Sequence, residues 1–252
     1  MLSLSGISKH YGGLRVVDDV ALEVPERGLV GLVGTNGAGK STLFAIACGQ
    51  IEADAGSVSF GGVDVTRMPA RRRARLGLGR TFQVPREFAS LTVLENLLAA
   101  APRRHGESLW SVYAQWPRTV REERRLRDEA QRWLRFLNLQ GVADSPAGGL
   151  SGGQKKLLEL GRVLMLSPKA ILLDEPFAGV NPVLIAQIAD RIRELNRERG
   201  MAFLVIEHHL EALGELADRL YVMDQGRVIA QGGPAAVLAD PRVHEAYMGG
   251  VV

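Results

Sequence analysis

The 252-residue chain has one cysteine, Cys48, so it forms no internal disulfide, and a lone thiol fits a reducing compartment better than an oxidising one. It lacks any apolar run near the ~18 residues of a membrane-crossing helix. The opening MLSLSGISKHYGG has no charged start followed by a long apolar stretch, so no secretory leader is expected. Work at a membrane would therefore need another chain to cross it. No helical cluster of histidine and carboxylate has metal-site spacing. No Lys-x-Asp tripeptide occurs, which removes the base-reading element of a GTPase. There is no internal repeat and no low-complexity linker. Charge of one sign is not in large excess: 31 basic residues against 28 acids gives +3, which does not imply wholesale nucleic-acid binding. The excess is local, since residues 67–135 carry 16 arginines against 7 acids, while the rest of the chain is net acidic.

What remains is ordinary globular composition, 46% hydrophobic and 23% charged, with length for one large core. Residues 14–24 alternate apolar and polar after a first strand near 2–8, which predicts an antiparallel β start. Residues 29–33 read as a strand buried on both faces, running through a glycine turn into a helix at 41–48. Residues 56–65 read as a hairpin around Gly61-Gly62. Residues 87–145 then turn helical, with Trp133, Phe136 and Leu137 at helical spacing. From 154 the pattern runs helix (154–166), strand (170–174), helix (183–199), strand (202–206) and helix (209–217). That alternation predicts a mostly parallel sheet interrupted by a helical insert.

Gly34-Thr35-Asn36-Gly37-Ala38-Gly39-Lys40-Ser41-Thr42 matches G-x-x-x-x-G-K-[ST], with an apolar strand before it and a helix after. The glycines allow successive N–H groups to form an anion site, Lys40 can reach the β and γ phosphates, and Ser41 can ligate Mg²⁺. Asp174 and Glu175 end a second apolar strand, where ligands of open α/β sheets bind. Asp174 suits Mg²⁺ through its water shell, and Glu175 suits a general base for the attacking water. Leu150-Ser151-Gly152-Gly153-Gln154 opens another helix. Alone it is a glycine-rich N-cap with donors free for a phosphate.

With that pentapeptide 16 residues upstream of strand 170–174, the chain resembles the ATP-binding subunits of ABC transporters from about residue 2 to 249. The resemblance implies a P-loop NTPase fold: a mostly parallel core sheet, an N-terminal antiparallel β subdomain and an inserted α-helical subdomain. The core would comprise 1–86 and 150–252 and the insert 87–149, all within one ATPase domain. It further implies that Tyr11 stacks on adenine, that Gln83 links the Mg²⁺ site to a membrane partner, and that His208 contacts the γ-phosphate. Catalytic roles would fall to Glu175, His208, Lys40 and Gln83, and Mg²⁺ contacts to Ser41, Gln83 and Asp174. Ser151, Gly152, Gly153 and Gln154 would complete the ATP site of a second ATPase in trans.

Arg80-Thr81-Phe82-Gln83, residues 91–97, Ala178-Gly179-Val180-Asn181-Pro182 and the tail 243–249 are similar to the Liv-type ATPases of branched-chain amino-acid importers. Asn181 stands where most ABC ATPases have aspartate, and His209 where this subfamily has aspartate. The implied partners are membrane permease subunits, a second ATPase (a copy or a sister chain) and, indirectly, a solute-binding protein, with no nucleic acid. The implied place is the cytoplasmic face of the plasma membrane, bound peripherally. An ATPase of another transporter, for amides, urea or an exported solute, and a soluble non-transport ABC ATPase are the alternatives. The arginine-rich stretch, including Arg71, Arg72 and Arg73, is expected to face the permease or acidic headgroups, or simply solvent.

Overall fold

A computed structural model of the chain describes residues 1–81, 86–102, 116–208 and 210–248. It divides into two compact units. The first comprises Met1–Gln83, Lys169–Ala178 and Ile188–Val252. The second comprises Val84–Pro168 and Gly179–Gln187, so the helical unit extends beyond the 87–149 expected from the sequence.

In the first unit β1 (Leu2–Tyr11) pairs antiparallel with β2 (Leu14–Val24) and with β4 (Ala55–Phe60), which pairs with β5 (Val63–Asp64). The period-two pattern explains β2: Val20, Leu22 and Val24 are buried while Ala21 and Glu23 face out. The second sheet has the order β10-β9-β3-β8-β7-β6. It comprises β3 (Leu29–Gly34), β6 (Leu78–Arg80), β7 (Ala170–Asp174), β8 (Ala202–Ile206), β9 (Arg219–Asp224) and β10 (Arg227–Gly232). All but the β9–β10 pair are parallel. Every residue of β3 is buried, as its unbroken apolar run predicts for a central strand. Because β3, β7 and β8 run the same way in register, Gly34, Asp174 and Ile206 end at one edge of the sheet. That edge is where the chemistry collects.

Helix α1 (Lys40–Ala47) follows β3, and its Leu43, Phe44 and Ile46 join Leu4, Ile7 and Leu32 in one apolar cluster. Cys48 lies in that cluster, and burial pushes its thiol up to about 12, which makes it unreactive. Helix α2 (Ala70–Leu76) carries the arginine run. Arg71, Arg72 and Arg75 are exposed, but Arg73 is buried and has no place on an arginine surface. Its guanidinium donates to Ile46 O and Ala47 O, each at 2.8 Å, to Met68 O at 2.8 Å and to Thr66 O at 3.0 Å. Both α1 carbonyls lie in its last turn: Ile46 O also accepts the Gly49 N–H at 3.0 Å, whereas Ala47 O, at the last helical residue, has no amide of the helix to serve it. Arg73→Ala is therefore expected to lower stability by about 3 kcal/mol, and Arg71→Ala by less than about 0.5 kcal/mol. Urea unfolding of the two variants checks this, and equal midpoints would contradict it.

The second unit holds α3 (Val93–Ala100), α4 (Trp116–Phe136) and α5 (Gly152–Leu164), which pack on one another. Leu126, Ala130, Trp133, Leu134 and Leu137 form the buried face at helical spacing. Trp133 meets Phe136 edge-on at 5.8 Å and is a core residue, as its spacing predicts. Trp110 lies outside the described residues, and of Trp116 only the backbone is described. The segment after residue 85 is held on three sides. Fully buried Asn96 accepts the Phe88 N–H and donates to Phe88 O. Arg162 of α5 lies over the Phe88 ring at 5.0 Å, and Lys155 of α5 pairs with Glu87 at 2.7 Å. Helix α6 (Pro182–Arg199) runs across the unit boundary. The remaining α-helices among the described residues are α7 (Leu210–Leu216), α8 (Pro234–Leu238) and α9 (Pro241–Met248), and no described helix is long and apolar enough to cross a membrane.

Candidate active site

The turn from β3 into α1 requires left-handed backbone at Gly37 (φ +81°) and Gly39 (φ +94°). A β-carbon on Gly39 would lie 2.3 Å from Val16 O, while one on Gly37 would meet nothing within 4 Å, so the loop is tight at its base and open at its crest. Gly39 is the N-cap of α1 and offers no side chain to its first amides. Those amides and the positive helix end suit an anion. Lys40 is only 7% exposed, and its Nζ donates to Gly34 O at 2.7 Å and Thr35 O at 2.8 Å. Burial lowers its pKa from the ordinary lysine range, while Glu175 and then Asp174 pull it back up. The ammonium thus stands among loop carbonyls with two carboxylates in range. Ser41 is exposed on the first turn of α1 and Thr42 is half-buried. Thr35 donates its hydroxyl to Asp224 at 3.0 Å, which ties the loop to the end of β9. Asn36 is exposed and Ala38 buried, its N–H donating to Thr35 O.

Asp174 closes β7, and its N–H donates to Thr81 Oγ1 at 3.2 Å. Glu175 follows with φ +48°, an unfavourable backbone for a residue with a side chain. Its N–H donates to Ile206 O at 2.9 Å. His208, 41% exposed at the end of β8, places Nδ1 3.9 Å from Glu175 Oε1. The same Nδ1 is 3.8 Å from Oε2 of Glu207, a fully buried carboxylate that the sequence reading passed over. Tyr11 ends β1 half-exposed, with Lys9 Nζ 5.7 Å from its ring centroid. All these groups belong to the first unit.

The pentapeptide opens α5 in the second unit. Ser151 is the N-cap: its Oγ accepts the Gln154 N–H at 3.3 Å, and Gln154 Oε1 accepts the Ser151 N–H at 3.0 Å. The serine keeps its own O–H for another acceptor. Gly152 is exposed, whereas Gly153 is buried, and a β-carbon there would lie 1.6 Å from Leu184 Cδ2. Close packing therefore accounts for the second glycine. Asn181 caps α6, its Oδ1 accepting the Leu184 N–H at 2.9 Å, so in this chain the position serves the helix end. Gln83, His209 and Gly249 lie outside the described residues.

The residues present suit a magnesium nucleotide. Ser41 and Asp174 are hard oxygen donors beside a loop built for phosphate. Among the described residues no group of three His, Cys, Asp or Glu could hold an ion unaided.

The chain matches the ABC transporter family over residues 17–178 and the branched-chain amino acid ATP-binding cassette transporter family over residues 227–252. It is 41% identical over 250 residues to the probable branched-chain amino acid transport ATP-binding protein LivG of Archaeoglobus fulgidus, covering 99% of this chain and 95% of that protein. It is 35% identical over 249 residues to the high-affinity branched-chain amino acid transport ATP-binding protein BraF of Pseudomonas aeruginosa, covering 99% and 98%. Among solved structures it resembles the ADP conformation of MJ1267, an ATP-binding cassette of an ABC transporter, with TM-score 0.86, 38% identity and coverage of 99% and 98%.

Proposed function

The chain belongs to the ATP-binding subunits of ABC transporters and is an ATPase of that family, and we propose that it energises uptake of branched-chain or related amino acids. The cargo reading rests on the match of residues 227–252 and on the relatives named above. The observation that carries the site assignment is the buried Lys40 ammonium, held by loop carbonyls within range of Glu175 and Asp174.

In this reading the whole chain is one ATPase domain. The amides of the 34–42 loop and Lys40 bind the phosphates, and Tyr11 stacks on the base. Ser41, Asp174 and Gln83 would hold the Mg²⁺ that accompanies the nucleotide, which when bound would neutralise phosphate charge. Glu175 takes the proton of the attacking water. His208 donates to the γ-phosphate from beside Glu175. Ser151 and its neighbours supply the last donors to a second ATPase, copy or sister, because stabilising a transferring phosphoryl group needs donors fixed around it. ATP binding then closes the pair, and hydrolysis reopens it. Working at the inner face of the plasma membrane, the chain would pass this motion to permease subunits, which receive solute from a binding protein.

The segment from Gln83 to residue 100 is the proposed grip on the permease. Its exposed Phe88 is clamped to α5, the helix that bears Ser151, by Arg162 and by the Lys155–Glu87 pair. A cysteine placed at Phe88 or Leu91 is expected to crosslink to a cysteine-scanned permease in an ATP-dependent manner. Buried Cys48, with its raised pKa, should not compete. No ATP-dependent crosslink at either position would remove the segment from that role. Co-purification with permease subunits supports the transporter, whereas co-purification with ribosomes or DNA would favour a soluble ABC ATPase.

A further inference from the structure

Glu207 has no assigned part in the scheme above, yet its carboxylate is fully buried at the end of β8. Its own N–H donates to Leu32 O at 3.2 Å, anchoring it to β3. Its side chain reaches the other way: Oε1 accepts the Phe177 N–H at 2.7 Å. Phe177 is two residues past Glu175, in the turn where Glu175 O accepts the Ala178 N–H at 3.2 Å. No hydrogen bond of good geometry reaches Oε2 among the described residues, and the His208 imidazole faces it at 3.8 Å.

A buried acid is costly, and an apolar residue of similar size would pack there without that cost. The bond from the Phe177 N–H to Oε1 accounts for its presence. Glu175 sits at φ +48°, a backbone state costing on the order of 1–3 kcal/mol that persists only when its surroundings hold it. Ile206 O grips that turn at Glu175 N–H, and Glu207 grips it again at Phe177 N–H. Burial pushes the Glu207 carboxyl above the usual carboxylate range, and the nearby Glu175 charge adds to the push. The Phe177 amide and the His208 imidazole and amide act against it.

We propose that Glu207 is a positioning residue for ATP hydrolysis: from within the core it fixes the turn that aims Glu175, with its second oxygen facing the His208 imidazole. Its side chain is fully buried and acts through that turn. The proposal rests on Glu175 being the base.

The test measures ATP affinity, kcat and unfolding temperature for Glu207→Leu, Glu207→Asp and Glu207→Gln, with Glu175→Gln alongside. Misplacing a reacting group by about 1 Å costs up to about 10²-fold. Glu207→Leu is expected to lower kcat tenfold to a hundredfold (an order-of-magnitude range) with ATP affinity retained. Glu207→Asp, which stays polar but withdraws the acceptor by one carbon–carbon bond, should show the same split, and it carries the test where the leucine variant does not fold. Glu207→Gln should recover most of the loss, because its carbonyl still accepts the Phe177 N–H. Lower unfolding temperature with unchanged kcat in folded Glu207→Leu or Glu207→Asp would make the residue merely structural and overturn the proposal. A kcat in Glu207→Gln as low as in Glu207→Leu would also overturn it. Normal turnover in Glu175→Gln would instead show that the underlying reading of Glu175 has failed.

Discussion

Glu175→Gln is expected to bind ATP as the parent does and to turn it over about 10²- to 10⁴-fold more slowly, the range general acid–base catalysis contributes. Glutamine has the size and shape of glutamate, so the turn need not move, and the bonds holding it use the backbone of residue 175 and the amide of Phe177. The side-chain amide can still orient water but cannot take its proton. Lys40 would keep Asp174 as a carboxylate neighbour, so the phosphate loop retains part of its electrostatic support. Phosphate release at saturating ATP, together with an equilibrium ATP titration, separates the two quantities. Normal turnover would show that the proton leaves by another group.

Lys40→Ala should fail at the earlier step. A hydrogen bond to a charged group contributes about 1.5–3 kcal/mol, so losing the ammonium from the phosphates should weaken ATP binding by about 10- to 100-fold. The same change leaves Gly34 O and Thr35 O without the donor that now joins them, so the unfolding temperature should also fall. Lys40→Arg should not restore affinity, because a planar guanidinium cannot replace a compact ammonium in so closed a site. Calorimetric titration with ATP checks both variants. Unchanged affinity in Lys40→Ala would place the phosphates elsewhere.

Much of the site was legible because its residues sit at strand ends, which sequence marks well. Strands 170–174 and 202–206 occur over those residues, and the glycine loop lies between β3 and α1 as its pattern requires. Elements carried by few residues were missed. Strand β6 has three residues, two of them Gly79 and Arg80, and offers no periodicity to read. The β9–β10 hairpin had a signal in the alternating residues either side of Asp224-Gln225-Gly226. There Gln225 takes φ +44° and Gly226 φ +82°, as a tight turn requires. Helices α2, α8 and α9 are short and were not separated from their loops.

Arg73 and Glu207 escaped for a different reason. Each is a charged residue in the core, and sequence presents charge as surface. Arg73 is buried because tertiary packing brings it to carbonyls at the end of α1, 26 and 27 positions earlier in the chain. Glu207 is buried because a neighbouring strand places the Phe177 amide 30 positions away within its reach. Ser151, which the resemblance assigns to the ATP site of a second chain, also caps the helix it precedes, and Asn181 caps its own. Helix capping and recognition use the same residue types, so spacing alone does not separate them.

The central claim is that one chain holds half of each site and that ATP draws two ATPases together around it. Sedimentation velocity of Glu175→Gln, alone and with a sister ATPase of the same transporter, measures this directly with ATP, with ADP and without nucleotide. The claim requires a dimer with ATP that is lost with ADP and weakened by Ser151→Ala. A species of the same mass in all three conditions, alone and in the mixture, would contradict it.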